Sequence, residues 1–216
     1  SSSVMGVQER RAREKEELRQ QIIAVGRELF AVEGFEAVSV RKIAEKIEYS
    51  PTTIYLYFED KADLFDCVCE ERLLEFYAQL QSPEFNGPDP YLNLKRGLRA
   101  YVDFWIAHPG DFRLTFVTDL RALDANRNWR CLSVGNQVYD VLRQNLLNCR
   151  EQGTMHFEDL ELASQMVWAQ IFGVMSLQIM KPHFPWVDRI TLIDTVIDVA
   201  LKSVSASATL PVAASS

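Results

Sequence analysis

Residues 37–61 read AVSVRKIAEKIEYSPTTIYLYFEDK, and this stretch decides what the chain can be. Val40, Ile43, Ala44 and Ile47 recur at helical spacing, which predicts a short helix with one apolar face. Ser50 followed by Pro51 is an N-cap with proline at the first helical position. A second helix of about two turns is expected to follow, with Ile54 and Phe58 turned inward at i, i+4. Thr52, Thr53, Tyr55 and Tyr57 are left on its outer side, all of them hydroxyl-bearing. A short second helix with such a face suits a major groove, so the stretch reads as a helix-turn-helix.

Working outward, a long helix is expected from about residue 8, with Leu18, Ile22, Val25 and Leu29 in one stripe and Phe30 beside it. Residues 1–7 carry no pattern, and the serines before Met5 read as an expression remnant. Gly34 suits the left-handed residue that ends a helix, and Ser39 suits the cap of the next one. The three helices make a small head, expected at 1–60. A fourth helix follows to about Leu80, then QSPEFNGPDP, a connector rich in proline. Helices are predicted over 91–107, 111–120, 127–152, 158–180 and from 185 or 187 to 204, with His108-Pro109-Gly110 as one break. No segment alternates with the period of a strand. The fold class is therefore all-α, about nine helices, with a helical regulatory and dimerisation domain over 61–204 and a flexible tail over 205–216.

Composition bounds the partners. In 216 residues, 48% hydrophobic and 25% charged residues describe an ordinary globular chain. Purely apolar runs are shorter than the roughly 20 residues that cross a bilayer, and no charged-then-apolar leader opens the sequence; a cytoplasmic protein without membrane contact is expected. Cys67, Cys69, Cys131 and Cys149 form no C-x-x-C pair and no metal spacing, and are expected to be reduced, buried or half-buried thiols. The charge balance opposes nucleic-acid binding at first sight. Lys plus Arg number 23 against 30 Asp plus Glu, net −7, and residues 1–61 hold 10 basic and 11 acidic groups (10 − 11 = −1). Placement is more favourable: Arg10, Arg11, Arg13, Lys15 and Arg19 lead in, and Arg41, Lys42, Lys46 and Lys61 bracket the turn. Charges are screened beyond about 8 Å at physiological salt, so local placement outweighs the sum.

The helix expected over 158–180 is apolar or small around most of its circumference. Leu162, Met166, Ala169, Phe172, Gly173, Ser176, Leu177 and Met180 leave it little polar face. Such a helix must be covered on several sides. Burial inside its own chain is one way; the other is a homodimer in which the last two helices pair with their copies. The interface would then hold Leu162, Met166, Ala169, Gly173, Ser176, Leu177 and Met180.

The sequence resembles the TetR-type (tetracycline-repressor-like) transcriptional regulators over residues 20–65. RELFAVEGFEAVSVRKIAEKI resembles the family's first two helices, including the Gly-Phe link and the Ile-Ala pair. SPTTIYLYFEDKADLF resembles its recognition helix and the Tyr-x-x-Phe-x-x-Lys-x-x-Leu run after it. AYVDFWIAHPGDFRLTF is similar to one subgroup of its regulatory domains. The resemblance implies that Arg41, Thr52 and Thr53 face base edges, since Arg suits guanine O6/N7 and a threonine methyl suits thymine. It implies phosphate contacts for Ser39, Tyr55, Tyr57 and Lys61. Each has a structural alternative: Tyr55 packing on the first helix, Lys61 capping, Arg41 pairing with Glu45 at i, i+4. The family commonly has glycine in the turn where this chain has Glu48. If that position is left-handed, the side chain costs roughly 1–2 kcal/mol, and its carboxylate repels DNA.

The resemblance further implies a small-molecule effector in the second domain. Phe104, Trp105, Phe112, Phe116, Trp129, Tyr139, Trp168 and Phe172 are the candidate lining, or plain core; together they suit a hydrophobic or aromatic molecule or an acyl chain. No cofactor, metal site or catalytic residue is expected. His108, His156 and His183 lie in or beside breaks, none follows a Glu by three, and G-x-S-x-G, P-loop and G-x-G-x-x-G are missing. The expectation is a ligand-responsive, homodimeric DNA-binding regulator, most simply a repressor on a palindromic operator. A helical dimer that binds another protein through its head stays open beside it.

Overall fold

The computed structural model describes residues 2–207, with side chains over 6–205. The described residues form ten α-helices and no strand. These are α1 (Ser2–Glu33), α2 (Val40–Lys46), α3 (Pro51–Tyr55), α4 (Lys61–Leu80), α5 (Pro90–Ala107), α6 (Pro109–Phe112), α7 (Leu120–Leu123), α8 (Arg130–Glu151), α9 (Leu160–Met180) and α10 (Arg189–Ser207). A 3-10 turn at Pro83–Phe85 and a π turn at Arg113–Val117 complete the elements. The all-α class is as expected.

Several boundaries are set by local chemistry. Ser39 caps α2 by accepting from the Lys42 amide at 3.1 Å, and Ser50 caps α3 by accepting from Thr53 at 3.3 Å. Asp89 caps α5 ahead of Pro90 by accepting from the Tyr91 and Leu92 amides. Gly34 ends α1 at φ +83°, a conformation glycine adopts without strain.

Other boundaries differ from expectation. Helix α1 starts at Ser2, well before residue 8, and α3 is five residues long, with Phe58 beyond its end. The expected helix over 111–120 is α6, a π turn and then α7, which Asp119 caps anew through the Ala122 amide. Helix α8 starts at Arg130 instead of 127 because the buried Asp66 carboxylate accepts from the Arg130 and Cys131 amides at 2.9 and 3.0 Å. Asp188 likewise delays α10 by capping it through Thr191. Of the tail expected at 205–216, residues 205–207 continue α10 and 208–216 lie outside the described residues.

The chain divides into two compact units. The first holds residues 1–73 and 110–133, so it is larger than the head expected at 1–60. Its core joins Ile22, Phe30, Ile43, Ala44, Ile54, Leu64 and Phe65, all essentially inaccessible. Full burial of an Ile or Leu contributes about 1.5–3 kcal/mol. Phe65 takes Phe30 and Phe35 edge-on at 5.1 and 5.2 Å, which holds the α1–α2 link onto α4. Segment 110–133 is fastened to this core by charge. Asp111 receives Arg27 from α1 and Arg72 from α4, and Arg130 meets Asp63 and Glu70 of α4 at 2.9 and 3.0 Å.

The second unit holds residues 74–109 and 134–216. Helix α9 packs between α5 and α10, burying Val167, Ile171, Val174, Met175 and Ile179. It has the length and apolar composition of a membrane span, yet one side of it lies in this core. The four cysteines are free and buried, and burial pushes the Cys69 thiol up to about 12.

Candidate nucleic-acid interface

Helix α3 is seated by Ile54, fully buried, and by Phe58 just past its end. With those two inward, Thr52 and Tyr55 are exposed and Thr53 and Tyr57 half-exposed. Tyr55 keeps 54% of its surface, so packing on α1 is not its main role in the free chain. The Thr53 hydroxyl lies 3.1 Å from Ser50 Oγ, which orients it at the first turn of α3. Tyr49 and Leu56, one on each side of α3, are also exposed. Neither stands out in the sequence, because a turn residue and a lone leucine carry no pattern.

The cations around the turn are all engaged. Arg41 Nε donates to Glu45 at 2.9 Å, Lys42 pairs with Glu33, and Lys46 pairs with Glu28 at 2.7 Å. Lys61 Nζ donates to the Phe35 carbonyl at 2.7 Å and stands 4.1 Å above the Phe35 ring. These engagements differ in strength. The Arg41 side chain is 81% exposed, and an exposed i, i+4 pair is worth about 0.3–0.5 kcal/mol, against about 1–3 kcal/mol for a bidentate arginine on guanine. Arg41 can therefore exchange Glu45 for a base edge. Lys61, half-buried on a carbonyl and a ring, is first a clasp on the α1–α2 link. Ser39 is first a cap, with its hydroxyl hydrogen left for a phosphate.

Glu48 is the turn residue where φ is +60°, and among the described residues it is the one non-glycine with positive φ. The left-handed condition is met, and with it the cost of roughly 1–2 kcal/mol. The side chain is exposed.

The eight aromatic candidates are divided between the two units. Phe104 and Trp105 are core of the second unit, Phe104 packing on Phe76 at 5.0 Å. Phe112, Phe116 and Trp129 belong to the first unit; Phe112 and Phe116 pair at 5.3 Å, while Trp129 is buried and donates to the Asp124 carbonyl. Tyr139, Trp168 and Phe172 form a partly open row on α8 and α9, with ring spacings of 5.7 and 6.0 Å. Trp168 Nε1 donates to the buried Tyr101 hydroxyl at 3.3 Å. A shallow groove of about 550 Å³ in the second unit is lined by Asp89, Tyr91, Thr154, Met155, Leu201, Lys202 and Ser205, none of them among the eight.

On α9, Leu162, Met166, Ala169, Gly173, Ser176, Leu177 and Met180 are all exposed or half-exposed. They form one stripe, opposite the side that carries Val167, Ile171, Val174 and Gln178 into the core. Among the described residues, no atom beyond its own helix backbone and its two chain neighbours lies within 4 Å of where a β-carbon at Gly173 would stand.

Residues 22–68 match the family of bacterial regulatory proteins called tetR, and residues 94–200 match the tetracyclin-repressor-like C-terminal domain. A helix-turn-helix-type transcriptional regulator of Staphylococcus aureus is 28% identical over 112 residues, 52% of this chain and 56% of the relative. One from Haemophilus influenzae is 24% identical over 129 residues, 59% of this chain and 66% of its own. The matches thus span less than two thirds of these relatives. The fold is similar to that of the fatty acid degradation regulator FadR from Bacillus halodurans (TM-score 0.69, 24% identity, 85% of this chain and 94% of that one). It is also similar to FadR from Bacillus subtilis in complex with stearoyl-CoA (TM-score 0.66, 20% identity, 84% and 97%). Helix-turn-helix, helical body and both sequence matches agree: the chain belongs to the tetR family of bacterial transcriptional regulators.

Proposed function

We propose that this regulator is a homodimeric repressor that binds a palindromic operator and is released by an apolar small molecule. The observation that carries it is the outward face of α3: Thr52 and Tyr55 stand exposed and Thr53 half-exposed over a fully buried Ile54, beside a largely exposed Arg41. Arg41, Thr52 and Thr53 read base edges. Tyr55 and Tyr57 bind phosphates, joined by the free hydrogens of Ser39 and Lys61. Residues 1–60 act as the DNA-binding domain and 61–204 as the regulatory domain. The uncovered stripe of α9 supports pairing with a second copy, since a head that reads half a palindrome needs a twin.

The effector is a long-chain acyl thioester or a molecule of similar apolar length. The likeness to a FadR fold that holds stearoyl-CoA supports this class, as does the aromatic row Tyr139–Trp168–Phe172. An effector that prefers the non-binding state lowers DNA affinity by the ratio of its two affinities.

The test is selection of genomic fragments bound by purified protein, followed by affinity measurements on the recovered site. Tyr55→Ala is expected to weaken binding to all duplexes by a similar factor and, because the phenol carries no charge, to leave the salt dependence as it is. Arg41→Ala or Thr53→Ala is expected to cost about 1–3 kcal/mol at the contacted base and relax the preference there. Equal losses on operator and random DNA for all three variants would refute the division of roles. No recovered site at all would favour the protein-binding dimer. Stearoyl-CoA is expected to release the operator; unchanged affinity would exclude this effector class.

A further inference from the structure

Helix α1 is much longer than the head requires. Core burial begins at Ile22, with Leu18 and Arg19 half-buried, while residues 6–17 are exposed along their whole length. At 1.5 Å per residue that overhang is about 18 Å.

The charges on it are sorted by face. Arg11, Lys15, Leu18, Ile22, Gly26 and Leu29 follow one another at helical spacing, so the side of α1 that enters the core continues outward as Arg11 and Lys15. Gly26 and Leu29 mark that side, Gly26 against Leu64 and Leu29 buried. Glu9, Glu16 and Glu17 lie on the side turned away from it. Arg10, Arg13 and Arg19 are each neutralised within the helix by Glu14, Glu17 and Glu16. Among the described residues, Arg11 and Lys15 lie in no ion pair.

That cationic side points along the candidate DNA face. Lys15 Nζ stands 6.0 Å from the Tyr57 ring centroid, just past the end of α3, and Arg19 stands 5.5 Å over Phe58 one turn further in. The cations nearer the turn are engaged by carboxylates or a carbonyl, whereas Lys15 beside Tyr57, and Arg11 one turn further out on the same side of α1, lie in no ion pair among the described residues.

We propose that the overhang of α1 is a second contact with duplex DNA, Arg11 and Lys15 binding backbone phosphates beyond those reached from α2 and α3. It rests on the DNA-binding reading above. The ligand is the polyphosphate backbone, and the contact carries no sequence preference. It also bears on how a head without net positive charge holds DNA: on the overhang, Glu9, Glu16 and Glu17 lie on the side away from Arg11 and Lys15.

The test is fluorescence anisotropy of the full chain on a labelled random-sequence duplex and on the selected operator, titrated with NaCl. The double variant Arg11→Gln/Lys15→Gln is expected to bind both duplexes more weakly by the same factor. Its slope of log affinity against log salt should shrink by about 0.9 for each phosphate no longer neutralised, about 1.8 per head. Arg11→Lys/Lys15→Arg restores the slope, and Arg13→Gln, on the far side, leaves it at the wild-type value. Trimming the operator's flanks should erase the difference between wild type and double variant. An unchanged slope in the double variant, with wild type binding normally, overturns this proposal and leaves the α3 interface standing. A wild type that binds no duplex overturns both.

Discussion

Glu48 concentrates two penalties in one side chain. Its backbone is left-handed at φ +60°, and its carboxylate lies in the turn between the two helices that would meet DNA. The penalties can be separated. Glu48→Gly removes the β-carbon and relieves roughly 1–2 kcal/mol of strain, while glycine's extra freedom in the unfolded chain takes back about 0.5–1 kcal/mol. A net gain of about 0.5–1 kcal/mol is expected in urea denaturation. Glu48→Gln keeps the β-carbon and removes the charge, so it should leave stability unchanged and tighten binding to any duplex. If the two variants are equally stable, the strain reading is wrong; if neither changes affinity, the carboxylate points away from the duplex. At this scale the sequence was a good guide where a residue acts on its own neighbours. Ser39, Ser50 and Gly34 could be assigned because a cap or a left-handed turn is a local event. Lys61 could not be assigned, because its partner, the Phe35 carbonyl, lies 26 positions away and is brought near only by packing.

Elements show the same divide between local and distant causes. The sequence placed α4 and α5 within a residue of their observed bounds because a proline-rich connector separates them and Asp89-Pro90 restarts the chain. It misjudged the start of α8, since the cap is Asp66, 64 positions upstream and buried in α4. It also read one helix where α6, the π turn and α7 stand: residues 111–120 hold no proline or glycine to mark a break, and the Asp119 cap that restarts the chain as α7 went unread. Asp66 therefore does the work of an N-cap across the fold. Burial opposes the charge of the neighbouring Arg130, but hydrogen bonds to Asp63 and Glu70 and the Asp66 carboxylate raise its pKa above the usual arginine value. Asp66→Ala removes an acceptor from two amides and is expected to cost about 2 kcal/mol or more, by cap loss and by leaving those donors unsatisfied. Urea denaturation of the variant measures this. Asp119→Ala, which uncaps only the four-residue α7, is the comparison and should cost well under half as much. Equal costs would mean that Asp66 contributes no more than any local cap.

At the scale of the whole molecule, the question is what covers α9. One side of this helix is core and the other is an uncovered stripe of leucine, methionine, alanine and glycine, with Leu162, Leu177 and Met180 each about half exposed. The sequence could say that the helix was apolar all round but not which side its own chain would cover; that depends on where α5 and α10 pack. Gly173 sits in the middle of the stripe with open space around it, so Gly173→Glu tests the partner without disturbing the single chain. Within the helix, glutamate is better than glycine by about 0.5–1 kcal/mol, so the isolated chain should if anything gain stability. In a two-fold interface the same change brings two carboxylates together away from water, a like-charge contact that cannot be paired. Sedimentation is expected to give twice the chain mass for wild type and the chain mass for the variant. Wild-type melting temperature should rise with protein concentration, and the variant's should not. The loss should carry through to DNA, because two linked heads bind a palindrome with an effective concentration that one head lacks. The variant is thus expected to keep the wild-type preference for a half-site and lose the added affinity for the full site. A variant with unchanged mass would remove α9 from the interface, and one that sediments as a single chain yet binds the full operator like wild type would separate DNA binding from dimerisation altogether.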